Sequence, residues 1–146
     1  MSTSSHYSFP PDLFYDSATH VWARPDGETV TLGLDPLGLE SLGDMAYIAL
    51  QAVGFPARRG EAIGSLEAAK MVGDLIAPLS GVLTARNEAA LSDPGLVNRD
   101  PYGAGWLIQM TPTDWESESA QLIHGVALTA WVEAEVERYR SQGWID

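Results

Sequence analysis

The 146-residue sequence contains no cysteine. This absence excludes a disulfide framework, a thiolate metal site and a cysteine nucleophile. No stretch approaches the roughly 18 consecutive apolar residues that a membrane-spanning helix needs. The first nine residues also lack the basic residue and the apolar run of a secretory signal peptide. We therefore expect a cytoplasmic protein with no membrane partner.

Basic residues are scarce, because 8 lysine and arginine residues stand against 20 acidic residues, for a formal net charge of −12. A surface of this sign repels phosphate backbones, so we expect no nucleic-acid partner. It favours docking onto basic surfaces of other proteins, at rates that fall with rising salt. The alternative is that the acidity only keeps the protein dissolved.

Lysine is the scarcest of the charged residues, since seven of the eight basic residues are arginine and only Lys70 is lysine. Arginine stays protonated and is a poor nucleophile, whereas lysine can lose its proton and be acylated. Lys70 is therefore the only side chain of this sequence that carries a primary amine. Composition bias is the alternative explanation, and the location of Lys70 argues against it.

Short apolar runs separated by turn residues are typical of a mainly β domain. His20–Arg24 and Thr29–Leu34 form a predicted hairpin, because the Asp-Gly pair of Pro25-Asp26-Gly27 is a strong turn signal. Further strands are predicted at 44–50, 61–67, 71–77, 82–87 and 106–110, with helical turns at 36–40 and 88–91 and a structured loop at 96–103.

The C-terminal part changes its hydrophobic period from two to between three and four. This spacing predicts an amphipathic helix that packs on the β domain and ends at Gly143. A helix that binds a partner is the minority interpretation. The residues of its apolar face are Leu122, Val126, Thr129, Val132, Val136 and Tyr139.

The two strands that flank Lys70 predict a hairpin with this lysine at or beside its tip. Ala68 and Ala69 precede it, and Glu67 lies three residues before it. This setting suits a lysine to which an enzyme attaches a covalent group. Small neighbours would let the attaching ligase enclose the amine, and a carboxylate at a fixed offset would let the ligase recognise this lysine. The absence of thiols suits a dithiolane cargo, since no protein thiol can trap it. A solvated surface lysine is the competing interpretation.

From Tyr15 to Met110, about two thirds of the chain, the sequence resembles the H protein of the glycine cleavage system. The matching stretches are His20 with Trp22, Leu42-Gly43-Asp44, Val53-Gly54, Gly64 to Lys70, Ala77 to Gly81, Asn87, Leu96-Val97-Asn98 and Asp100 to Leu107. The resemblance implies a flattened antiparallel β-barrel or sandwich with short helices and a C-terminal α-helix. It also implies a flexible tail over 1–10, a lipoyl-carrier domain over 11–111 and a packed helical extension over 112–146.

The resemblance further implies a carrier without catalytic residues, in which lipoic acid is bound through an amide to Lys70. Glu67, Gly81 and Gly54 match positions associated with recognition by a lipoate ligase or lipoyl transferase. The dithiol arm would carry an intermediate between partner enzymes, which tethering keeps at a high effective concentration. In the glycine cleavage system these partners are the P, T and L proteins.

Three departures favour a different branch of the family, the lipoate-binding proteins of heterodisulfide-reductase-like sulfur oxidation. Val21 stands where H proteins usually have glutamate, and Met71 follows the lysine where they usually have alanine. The segment after Pro112 is also longer. On this basis we expect a sulfur-carrying protein that works with a heterodisulfide-reductase-like complex, with the glycine cleavage H protein as the alternative.

Three other classes compete with a lipoyl carrier. Biotin attachment is disfavoured because the methionine that precedes the lysine in biotin carriers is replaced by Ala69. An enzyme is disfavoured because His6, His20 and His124 are scattered, and His20, on a strand beside a tryptophan, is better explained as a packed histidine. A binding module that has lost its modification is disfavoured by the persistence of Lys70.

Overall fold

The computed structural model describes residues 7–146, so Met1–His6 of the predicted tail lie outside the described residues. Within the described part, nine strands are interleaved with short helices. The strands are β1 (Phe14–Tyr15), β2 (Val21–Asp26), β3 (Thr29–Leu34), β4 (Met45–Leu50), β5 (Pro56–Ala57), β6 (Ala62–Ala68), β7 (Val72–Ile76), β8 (Gly81–Arg86) and β9 (Ile108–Pro112). The helices are α1 (Pro36–Leu42), α2 (Glu88–Ser92), α3 (Gly95–Arg99), α4 (Trp115–Ser119) and α5 (Leu128–Ser141).

The strands form two antiparallel sheets. One has six strands in the order β1-β2-β3-β9-β8-β5, and the other has three in the order β4-β6-β7. Apolar residues of both sheets meet in one core cluster, which includes Val21 and Leu32 from the large sheet and Ile48, Leu66 and Leu75 from the small one. The predicted antiparallel β fold with a C-terminal helix is therefore confirmed.

Helix α5 covers a second cluster of buried residues at the β1–β2 end of the large sheet. Its buried residues Val132, Val136 and Tyr139 pack there with Trp22 and Leu37. The segment before β1 contacts the same region, since the Phe9 ring lies edge-on to Trp131 with ring centroids 5.9 Å apart. Residues 7–10 thus contact the body of the molecule.

The predicted β2–β3 hairpin is present, but its bounds differ from the prediction. β2 begins at Val21 and not at His20, whose φ is +61°, and it continues through Pro25 to Asp26, which pairs with Thr29 across the loop Gly27-Glu28. Gly27 begins that loop with a φ of +64°, a conformation that glycine adopts without steric cost. The strands predicted around Lys70 are also present as β6 and β7, paired from Ala62 opposite Ile76 to Glu67 opposite Val72.

The predicted start of the C-terminal helix is wrong. Leu122 and Val126 precede α5, because a 3-10 turn over Gly125–Ala127 interrupts the chain and Gly125 has a φ of +68°. Val126 is fully exposed, and Thr129 is exposed on α5, so neither belongs to the buried face. The loop predicted at 96–103 contains α3, and the last strand begins at Ile108 rather than Trp106.

In residues 7–146, no helix is both long and apolar enough to cross a membrane.

Candidate functional site

Lys70 lies in the loop of the β6–β7 hairpin, as the sequence predicts. Glu67 pairs with Val72, and the Ala68 N–H group donates to the Met71 carbonyl at 3.0 Å. Ala69 and Lys70 are therefore the two residues of the tip, and both are exposed. A two-residue connection between paired strands leaves the backbone little freedom, so the lysine side chain projects from a fixed base.

The amine of Lys70 makes one hydrogen bond, donating from Nζ to the backbone carbonyl of Glu40 at 2.9 Å. In the described part of the chain, no carboxylate lies within 4.0 Å of it. Loss of the lysine charge by acylation would therefore leave no carboxylate without a partner. An open cleft of about 460 Å³ lies beside the tip and is lined by residues that include Leu39, Glu40, Asp44, Lys70 and Asn98.

Glu67 lies on the exposed face of the small sheet, close to the tip. It pairs with Tyr47 on β4 and with Val72 on β7, so the three residues form one row across the sheet. Tyr47 is 56% exposed and Val72 is 70% exposed. A carboxylate flanked by two exposed apolar side chains offers a protein partner both a charge and an apolar contact.

Gly54 and Gly81 lie away from the tip, in or next to the large sheet, and each has a local structural reason to be glycine. Gly81 pairs with Ala57, and a Cβ atom there would lie 2.3 Å from the Thr111 carbonyl oxygen. Gly54 has a φ of +95°, and its N–H group donates a hydrogen bond to the Leu83 carbonyl oxygen at 2.8 Å. Their predicted role in ligase recognition stays a prediction.

His20 lies in a buried charged cluster that the sequence does not reveal. Its Nδ1 is 2.6 Å from an Asp35 carboxylate oxygen, and its Nε2 is 2.8 Å from an oxygen of Glu135 on α5. Arg138 donates two hydrogen bonds to the same glutamate, each of 2.8 Å. The imidazole ring also stacks on Trp131, with centroids 5.1 Å apart.

The surroundings of His20 favour a ring that is protonated at both nitrogens. Because both nitrogens face carboxylate oxygens, a neutral ring would direct a lone pair at an acceptor. Burial alone would lower the pKa of His20, but the hydrogen bonds and charges of Asp35 and Glu135 raise it above its ordinary value. Burial raises the pKa of Asp35 as well, so the pair holds its proton tightly.

Glu135 completes a charge balance in the cluster. Burial would raise the pKa of Glu135, but the hydrogen bonds of Arg138 and His20 lower it below its ordinary value. With one proton held between His20 and Asp35, and with Glu135 bonded to Arg138, the four side chains together carry no net charge. This balance reduces the cost of burying the charges.

His20 and Asp35 are 0% exposed, so neither side chain can contact a substrate in this conformation. The predicted packed, hydrogen-bonded histidine is therefore what the structure contains. His6 lies outside the described residues, and the ring of His124 stacks on Phe14 with centroids 3.9 Å apart. Across residues 7–146, no group of three or more histidine, aspartate or glutamate side chains is arranged to hold a metal ion.

Comparison with known proteins gives one consistent result. The family model described as glycine cleavage H-protein matches residues 13–135. A glycine cleavage system H protein from Thermus thermophilus is 41% identical over 105 residues, which cover 72% of this chain and 81% of that protein. The corresponding protein of Mycobacterium avium is 41% identical over 130 residues, covering 88% of this chain and 93% of that protein.

A solved structure is similar over nearly the whole chain. The crystal structure of a glycine cleavage system H protein from Mycobacterium marinum superposes with a TM-score of 0.71 at 33% sequence identity. The match covers 92% of this chain and 99% of that one. The two proteins therefore share their architecture over most of their length.

Proposed function

The chain belongs to the glycine cleavage H-protein family, and we propose that it carries the aminomethyl group of a glycine cleavage system on a lipoyl amide at Lys70. Proteins of this family are lipoyl carriers, so this chain carries lipoic acid and has no catalytic activity of its own. The observation that carries the assignment to Lys70 is the exposed amine at a rigid hairpin tip, the only lysine in the sequence.

The residues around Lys70 fit a lipoyl amide. The amide N–H formed by acylation can keep the hydrogen bond that Nζ now donates to Glu40, so the link to α1 need not break. Ala69 is small, which leaves room for an enzyme that must enclose the tip. A lipoyl group on Lys70 would supply a cyclic disulfide that can accept the aminomethyl group.

The comparisons favour glycine cleavage over the sulfur-oxidation function that the sequence departures suggest. The curated relatives carry the name glycine cleavage system H protein, and nothing in the comparisons supports a heterodisulfide-reductase-like complex as partner. Val21, one of the departures, is 1% exposed and packs in the main core. Its apolar character is therefore explained by burial.

The proposed partners are a lipoate ligase or lipoyl transferase, followed by the P, T and L proteins of glycine cleavage. The net charge of −12 supports docking on basic surfaces of such enzymes. Glu67 is proposed as the recognition carboxylate because it lies on the exposed face beside the tip. We further propose that residues 11–111 are the carrier domain and residues 112–146 its helical extension.

The test is reconstitution with glycine decarboxylase, the P protein. The lipoylated chain should make CO2 release from glycine depend on its concentration, while the Lys70→Arg chain should not support the reaction. The H protein of Thermus thermophilus serves as the positive control. Failure of the lipoylated chain, alongside success of this control, would overturn the glycine cleavage assignment.

A further inference from the structure

The tip that carries Lys70 is fixed by the segment that joins α1 to β4. The Ala69 N–H group donates to the Asp44 carbonyl and the Lys70 N–H group to the Leu42 carbonyl, each at 2.9 Å. Their partners lie outside the hairpin, because the β6–β7 register ends at Glu67 opposite Val72 and the Ala68 N–H group donates the last hydrogen bond across it. The position of the tip therefore depends on the position of residues 42–45.

Gly43 allows this segment to approach the tip closely. Its φ of +88° belongs to the region that favours glycine. A Cβ atom at this position would lie 3.1 Å from the Cγ atom and 3.3 Å from the backbone nitrogen of Lys70. Any other residue would strain the backbone and push against the lysine.

Asn98 holds the same segment from the opposite side. Its Oδ1 accepts a hydrogen bond from the Met45 N–H group at 2.8 Å, and its Nδ2 donates to the Gly43 carbonyl at 3.1 Å. These two bonds flank Asp44, whose carbonyl accepts from Ala69. A primary amide suits this place because it offers a donor and an acceptor together.

Sheet pairing also holds this segment, since Met45 pairs with Ala68 on β6, but the pairing is not regular here. The register of β4 against β6 shifts between Met45 and Tyr47, so the ladder is irregular where β4 begins. The two bonds from Asn98 on α3 add to this irregular pairing, since they hold the Gly43 carbonyl and the Met45 N–H group next to the bulge.

We propose that Asn98 is a positioning residue for lipoylation, acting through residues 43–45 to hold the Lys70 tip in the geometry that the lipoylating enzyme accepts. The inference rests on the proposed attachment at Lys70. Asn98 does not contact the amine, so its removal changes how often the tip is correctly placed and leaves the chemistry of acylation unchanged. If only a fraction of the molecules holds the tip in the geometry that the enzyme accepts, the apparent KM for the carrier rises by the inverse of that fraction.

The test compares Asn98→Ala with Asn87→Ala in the unlipoylated full chain. Asn87 is a matched control because it is also an asparagine that joins loops, donating to the Ala104 and Trp106 carbonyls at 2.7 Å each, but its side chain bonds to neither Gly43 nor Met45. Lipoylation by a purified lipoate ligase is followed by intact-protein mass spectrometry at varied carrier concentration. Amide hydrogen exchange is followed by NMR at Ala69 and Lys70.

For Asn98→Ala we expect the KM for the carrier to rise about fivefold to tenfold with kcat unchanged, and exchange at the two tip amides to accelerate at least as much. Asn87→Ala should leave both quantities at their wild-type values. If Asn98→Ala folds poorly, Asn98→Asp replaces it. That variant keeps the acceptor for Met45 but sets a charge against the Gly43 carbonyl, and it should shift both quantities in the same direction.

Equal KM values for the Asn98 and Asn87 variants would overturn the inference. Wild-type exchange at the tip amides of the Asn98 variants would overturn it as well. Absence of lipoylation in the wild-type chain would instead refute the attachment at Lys70, while the exchange measurement would still report whether Asn98 holds the tip.

Discussion

The Lys70 tip and the His20 cluster place a basic side chain in opposite settings. The Lys70 amine is exposed and donates a hydrogen bond to a neutral carbonyl. The backbone of its loop is held by hydrogen bonds to the segment that follows α1. His20 is fully buried and bonded to a carboxylate at each ring nitrogen, in contact with α5 and with Asp35 at the start of α1. Within residues 7–146, the lysine that acylation would neutralise has no ion pair, whereas the histidine that links α1 and α5 has a carboxylate at each ring nitrogen.

This contrast separates chemical function from stability. Changes at the tip should alter modification and leave stability unchanged, and changes in the cluster should do the reverse. Both regions contact α1, the tip through Glu40 and Leu42 and the cluster through Asp35, so a double variant tests whether α1 couples them.

The largest expected effect is that of Lys70→Arg. Arginine can still donate to the Glu40 carbonyl but cannot be acylated at neutral pH. Lipoylation should be abolished and the urea midpoint of unfolding unchanged, as measured by mass spectrometry and circular dichroism. A lipoyl adduct on the variant would contradict the proposed attachment site.

Asp35→Asn should cause the next largest effect, this time on stability. The substitution keeps the shape of the side chain that accepts the Gly38 N–H at the start of α1, but it removes one charge facing buried His20. We expect a loss of about 3 kcal/mol in the free energy of unfolding, as for other broken buried pairs. Lipoylation of the folded variant should proceed at the wild-type rate. Exposed Asp26→Asn is the control, and an equal loss there would remove the special role of the cluster.

The His20 cluster should also make stability depend on pH. The pKa of folded His20 is raised, so its stabilising contribution is complete below the unfolded value near 6.5 and is lost as pH rises toward the folded value. The free energy of unfolding should fall above pH 6.5 by at most about 1.4 kcal/mol per pH unit for one proton. Urea titrations between pH 6 and 9 measure this slope, and Glu135→Gln should reduce it. A slope unaffected by that variant would assign the pH dependence to another group.

Glu67→Ala should give the smallest effect. Loss of one charge-assisted hydrogen bond to the lipoylating enzyme should lower kcat/KM for lipoylation about tenfold, with unchanged stability. Glu61→Ala, an exposed glutamate at the other end of the hairpin, is the matched control. Indistinguishable rates for the two variants would remove the recognition role of Glu67.

The sequence predicts the tip well because its signals are local. The single lysine between two strands is contained in a few consecutive residues, as is the Asp-Gly signal of the β2–β3 hairpin. The predicted C-terminal helix began too early because the spacing of apolar residues continues across Gly125, whose positive φ the spacing does not reveal.

The contacts that join distant segments are not visible in the sequence. Glu135 lies 115 residues after His20, and Asn98 lies 53 residues after Met45. The only sequence signal for Asn98 is its place in a stretch shared with H proteins, which says nothing of its partners. Tertiary contacts bring these side chains together, so a pattern read along one chain cannot assign their roles.

The most direct test of the carrier function is peptide-mapping mass spectrometry of the protein purified from its source organism. A lipoyl adduct on the peptide containing Lys70, in most of the molecules, is the result expected. A Lys70 peptide found unmodified throughout, in cells whose other lipoyl proteins are loaded, would contradict the account.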